Sequence, residues 1–107
     1  MGKVQAVLNA LVPPQWRPAV LVIEDATVRD VKAALEEGAV SFIGHPATAA
    51  LLGVDVNRGE FLPGADDVAL VVRLKRRAGT VGDVQVTLDD LEVLKVTYRK
   101  NGTQGQD

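Results

Sequence analysis

The chain's one histidine, His45, stands between Gly44 and Pro46. Proline is favoured at the first position of a helix, so this spacing predicts a helix starting at Pro46 with the imidazole as its N-cap. Backbone N–H groups at a helix start lack partners and face any anion placed there. A phosphate at that point would lie within reach of the imidazole and favour its protonated form, which can act as a general acid. The plain alternative is a surface cap with no chemical role.

A second candidate is the basic run Arg73, Lys75, Arg76 and Arg77. Arg73, Lys75 and Arg77 fall at i, i+2, i+4, on one face of an extended strand with about 6–7 Å between neighbours, a spacing that can line several phosphates. The alternative is protection of an edge strand, where basic side chains deter pairing with another sheet. Asn57 and Arg58 either reach a phosphate or simply end a short strand. The pairs Asp66-Asp67 and Asp89-Asp90 are neighbours in sequence and point in different directions, so turn and cap roles suit them better than a carboxylate dyad. Trp16 reads as a packing residue or a contact at a subunit interface. Ser41 has no triad partners in its surroundings, and no glycine-rich phosphate loop is present.

The absence of cysteine excludes disulfides and thiolate nucleophiles, and with a single histidine no metal-ligand set is evident. No cofactor is implied. A formal charge of −2 gives no global attraction for a long nucleic acid, so an anionic ligand must be held by local positive charge. No apolar run approaches the ~18–20 residues of a membrane span, and the N-terminus lacks the pattern of a signal peptide. These features are expected of a soluble cytoplasmic protein.

At 107 residues, 47% of them hydrophobic, the chain has the length and apolar content of one domain. The expectation is a domain over residues 1–100 and a flexible polar tail over 101–107. Val4–Leu8 reads as a first strand, and Pro13-Pro14 after it forbids continuation. Residues 19–23 read as a second strand, paired with the first. Thr27 and Asp30 have the spacing of a capping box, followed by Val28, Val31, Ala34 and Leu35 at helical period and Gly38 as a left-handed stop. A brief strand over 40–43 precedes the helix Pro46–Leu52, which Gly53 ends, and residues 54–56 read as a further edge strand. Leu62 to Asp66 contains the turn signal Pro63-Gly64. Residues 68–77 form the clearest strand, with Val68, Leu70, Val72 and Leu74 on one face. After a turn over 79–83, Thr87 and Asp90 repeat the capping-box spacing and predict a short helix ending near Leu94. A strand over 96–99 closes the fold, which is expected to be α/β (α+β) with a mixed sheet flanked by short helices.

Taken in order, Leu8-Asn9-Ala10, the run from Ala39 through Ile43-Gly44-His45-Pro46-Ala47-Thr48 to Ala49, Val56-Asn57-Arg58, the strand from Asp67 to Leu74, and Val86-Thr87-Leu88-Asp89-Asp90-Leu91 resemble one family. That family is the viral ring nucleases, the type III anti-CRISPR proteins of archaeal viruses and phages. The similarity covers nearly the whole chain except the tail, and Ile-Gly-His-x-x-Thr is its most specific element.

The resemblance implies a homodimer that binds cyclic tetra-adenylate in a cleft on its two-fold axis and cuts it without metal, in the host cytoplasm if the protein is viral. A ribose 2′-hydroxyl attacks the adjacent phosphorus and leaves a 2′,3′-cyclic phosphate while the motif histidine protonates the departing 5′ oxygen. His45 matches that histidine, and Arg77 matches the family arginine that holds the phosphate. Asn9, Gly44, Thr48, Arg73, Lys75 and Arg76 then become contacts to the ring. The sequence departs from the family at two places. Members carry a glutamate in an Arg-Leu-x-Glu-Gly pattern, where this chain has Ala78-Gly79-Thr80-Val81-Gly82 after Arg77, and a hydroxyl residue after the Asn-Ala pair is replaced by Leu11-Val12. A module that sequesters a cyclic nucleotide without cutting it, and a non-enzymatic dimeric interaction protein, are the alternatives.

Overall fold

The structure, a computed structural model, describes residues 3–75 and 87–100. Strand β1 (Val4–Leu8) is followed by β2 (Ala19–Ala26), helix α1 (Val28–Glu36), β3 (Val40–Phe42), helix α2 (Pro46–Leu52), β4 (Val68–Leu74), a 3-10 turn over Leu88–Asp90, and β5 (Leu91–Lys100). The strands form one five-stranded mixed sheet in the order β2-β5-β4-β1-β3, and with the two helices they make a single α+β domain. β1 runs parallel to both β3 and β4, whereas β5 is antiparallel to both β4 and β2.

Burial explains the order. Ala6, Val7 and Leu8 are all buried, so β1 needs cover on both faces and takes an interior place. β2 carries Glu24 and Asp25 and leaves Val20 at 43% and Ile23 at 49% exposure, which only an edge permits. The expected pairing of β2 with β1 is therefore corrected: β2 pairs with β5, and residues 9–18 carry the chain across to it. β4 is buried from Val68 to Val72 and lies third of five, so its basic end does not protect an edge; the edges are β2 and β3.

Alternation along these strands builds two cores. Val7, Leu70, Val72, Leu91 and Val93 meet Val31 and Ala34 of α1 and Ala49 and Leu52 of α2, which puts both helices on one face. On the other face Ala6, Leu8, Ala69, Val71, Val96 and Tyr98 are covered by Val12, Trp16, Phe42 and Phe61. Phe61 lies 5.7 Å from Phe42 and 6.2 Å from Tyr98 between ring centroids, the tilted contacts that aromatic quadrupoles favour. Trp16 packs here, and its Nε1 donates to the Arg99 carbonyl at 3.4 Å.

The Thr27 capping box forms as expected, with Gly38 at φ +107° beyond the helix end. Thr87 and Asp90 also form a capping box, but it opens only the 3-10 turn. The expected helix to Leu94 is a strand instead, because Leu91, Val93, Val96 and Tyr98 fill alternate faces while the backbone pairs with β4 and β2. Residues 54–56 form no strand; Val54 N–H bonds back to the Ala49 carbonyl and Asn57 N–H to the Ile43 carbonyl. The expected turn over 79–83 and tail over 101–107 lie outside the described residues.

Candidate functional site

β1, β3 and β4 point the same way, so Asn9, Gly44 and Lys75 all lie just past the sheet at one end. Loops at the carboxyl ends of parallel strands are free of ladder obligations and are the usual place for ligand contacts in open α/β sheets. Here those loops are cross-tied by amide side chains. Asn9 Oδ1 accepts from Gly44 N–H at 3.2 Å, joining the end of β1 to the end of β3. Asn57 Nδ2 donates to the Ser41 carbonyl at 2.8 Å, and Asn57 Oδ1 accepts from Gly59 N–H at 2.9 Å. Residues 57–59 are thereby laid against β3 and the turn that follows it.

A Cβ on Gly44 would come within 3.2 Å of Arg58 Cγ and 3.9 Å of Arg58 Nε, so the arginine side chain lies close against this residue. Arg58 is exposed and has no carboxylate partner among the described residues, and its side chain lies against Gly44, the residue before His45.

His45 is the N-cap of α2, with Pro46 at N1 as the spacing predicts. Its Nδ1 lies 3.2 Å from Thr48 Oγ1 and accepts from Thr48 N–H at 3.4 Å. The residue is exposed, and Nε2 has no hydrogen-bond partner among the described residues. Thr48, at 4% exposure, is the buried polar side chain of this corner. Asn9, Gly44, His45, Thr48 and Arg58 therefore share one corner: an imidazole with one nitrogen held and one open, and an arginine against Gly44 with no carboxylate partner among the described residues.

The basic strand is arranged differently. Arg73 shares the face of Ala69 and Val71, opposite the helices, and its Nε lies 3.3 Å from Glu92 Oε1 on the register partner of β5. Lys75 is exposed and its backbone N–H bonds the Asp90 carbonyl at 2.8 Å. Arg76 and Arg77 lie outside the described residues. The acidic pairs serve turns, as their spacing suggests: Asp67 Oδ2 accepts from Gly64 N–H at 2.7 Å, and Asp90 Oδ2 from Thr87 N–H at 2.9 Å. Asp66 takes a left-handed conformation with φ +70°, which its short polar side chain tolerates.

Arg58 is the group to which sequence reading gave least weight. The signal that could have raised it is the glycine at position 44: a residue without a Cβ next to a candidate acid marks close approach by some other group.

Comparison with known proteins bears on the family and the fold. A family model described as STIV B116-like matches residues 5–99. Among solved structures, B116 of Sulfolobus turreted icosahedral virus superimposes with a TM-score of 0.68 at 18% identity, over 87% of this chain and 97% of that one, a likeness of fold. No curated protein matches the sequence.

Proposed function

The chain belongs to the STIV B116-like family, a group named for a small viral protein, and from that premise we propose that it is a metal-independent ring nuclease acting on cyclic tetra-adenylate. The observation that carries the reading is the His45 corner: an exposed imidazole with Nδ1 tied and Nε2 open, with Arg58, unpaired among the described residues, against the adjacent Gly44, on loops fixed by Asn9 and Asn57. Cleavage of an RNA-like phosphodiester by its own 2′-hydroxyl needs two things from a protein. One is positive charge on the phosphoryl oxygens as the P–O2′ bond forms; the other is a proton for the 5′ oxygen as the P–O5′ bond breaks. Arg58 and the family-matched Arg77 supply the first, and the His45 imidazolium supplies the second through Nε2. The 2′-hydroxyl proton leaves to solvent, and the products are linear di-adenylates ending in 2′,3′-cyclic phosphate.

A ring of four equal nucleotides has two equivalent halves, which suits a homodimer with one His45 corner on each side of a two-fold axis. Removal of this second messenger would silence the nucleases it activates, an anti-CRISPR role in a host cytoplasm. A binding module without turnover is the second reading, favoured by Ala78-Gly79-Thr80-Val81-Gly82 standing where family members carry a glutamate.

Incubation of the purified protein with cyclic tetra-adenylate in EDTA separates these readings. The expected result is di-adenylate under single-turnover conditions, abolished by His45→Ala. Tight calorimetric binding with full recovery of the intact ring would replace the nuclease by sequestration, and no binding to any cyclic oligoadenylate would remove both.

A further inference from the structure

Serine, threonine, asparagine and aspartate are the ordinary N-caps, and they accept through an oxygen that stays unprotonated at neutral pH. α2 is capped by a ring nitrogen instead, and its two contacts, the N–H and the hydroxyl, both come from Thr48. These two contacts respond in opposite ways to a proton. The Thr48 N–H can only donate, so it selects the tautomer with a bare Nδ1 and the hydrogen on Nε2. When the ring takes a second proton, Nδ1–H faces that N–H and the cap is lost. Among the described residues the Thr48 hydroxyl, on a residue at 4% exposure, is the neighbour in contact with Nδ1 that can turn from donor to acceptor.

We propose that Thr48 is the positioning residue of His45: its hydroxyl accepts Nδ1–H in the imidazolium and so keeps the acidic Nε2–H directed out of the protein. The inference rests on the nuclease reading for its catalytic consequence, although the hydrogen bond itself does not. In the reaction, Nε2–H passes to the departing O5′ as P–O5′ breaks and P–O2′ forms, and the neutral ring left behind carries its hydrogen on Nδ1, still donated to Thr48 Oγ1. Solvent then returns the ring to the Nε2–H tautomer. Arg58 carries only donors and cannot accept this hydrogen in its place, and the Asn9 Oδ1 bonds Gly44 N–H and not the His45 ring. Arg58 is also the charged group packed against this corner. On this reading Thr48 is not a contact to the ring of nucleotides, the role its place in the motif suggests.

A single histidine makes the test direct, because 15N-histidine labelling reports His45 alone. In the ligand-free protein at acidic pH, wild type and Thr48→Ser show a slowly exchanging Nδ1–H resonance, and Thr48→Val loses it or exchanges it about 10-fold faster. At alkaline pH the wild type shows the Nε2–H tautomer. With cyclic tetra-adenylate, single-turnover cleavage by Thr48→Val falls about 10- to 100-fold, the scale of a misaligned reacting group. Ring affinity stays within threefold, and Thr48→Ser recovers most of the rate. A wild-type Nδ1–H that exchanges as fast as free histidine, a T48V spectrum identical to wild type, or equal rate losses in T48S and T48V would each overturn the proposal. If wild type shows the protected Nδ1–H but neither it nor any variant cleaves, the role of Thr48 in holding His45 stands and the nuclease reading alone fails.

Discussion

In the β3-β1-β4 part of the sheet, short parallel strands of three, five and seven residues end together in loops, whereas β2 and β5 pair antiparallel over eight residues. The backbone groups that β2 and β5 turn toward each other are satisfied by the ladder between them. At the end of the parallel half the ladder stops, and side chains take over: Asn9 holds Gly44 N–H, Asn57 holds the Ser41 carbonyl, and Thr48 holds His45. Polar side chains that serve the backbone in this way lose rotamer freedom and gain a fixed direction. A parallel arrangement thus leaves one end of a sheet to be built from side chains, and that end is where this protein has an imidazole nitrogen and a guanidinium without partners among the described residues.

The contrast can be broken or sharpened by substitution. The largest expected loss of stability comes from Leu70→Ala in β4, the strand that joins the two halves through β1 and β5. It should cost about 2–5 kcal/mol, seen as a lower urea midpoint with probes in both halves unfolding together; separate transitions would mean that the halves are independent. Next is Asn9→Ala, which strands the Gly44 N–H at the site end and should cost about 1–3 kcal/mol together with ring affinity. The matched control, Val22→Thr on the exposed ribbon, should stay within about 0.5 kcal/mol and leave the ring affinity unaltered.

Tyr98→Phe is expected to cost about 1 kcal/mol, because the Tyr98 hydroxyl donates to the Val12 carbonyl at 2.7 Å and anchors the segment just beyond Asn9. Burial also raises the Tyr98 phenol above its ordinary value of 10.0, so the folded chain keeps that proton to higher pH than the unfolded chain does. The resulting stability is fully present below pH 10 and is lost as pH rises through and beyond that value, a slope that Y98F should remove in alkaline denaturation. The smallest effect is expected from Arg73→Ala, at most about 0.5 kcal/mol by thermal melting, since its pair with Glu92 is exposed on both sides.

Where a local rule and the tertiary demand coincide, the sequence was easy to read. Thr27 with Asp30, Pro46 with His45, and the hydrophobic run from Val68 all indicated the elements that form. It failed where pairing between distant segments outweighs a local signal: the capping box at Thr87 gives way to β5 after one 3-10 turn, and β2 passes over its sequence neighbour to reach a strand some seventy residues away. The alternation of β4 placed its apolar residues but not its neighbours, because a strand covered on one face and a strand covered on both look alike when the second face carries Ala69 and Val71. The His45 corner was legible as a motif. Its working parts were not, since the contact of Thr48 with a ring nitrogen and the approach of Arg58 to Gly44 are matters of ångströms.

The place of β5 between β2 and β4 has a consequence for how the molecule is made. A ribosome delivers the second strand long before the strand that must clamp it, and among the described residues no strand synthesised in between pairs with β2. The nascent chain therefore carries an open edge with valines and an isoleucine until β5 emerges. Premature termination anywhere before Leu91 would leave that edge permanently unclaimed and ready to stick to whatever strand it meets.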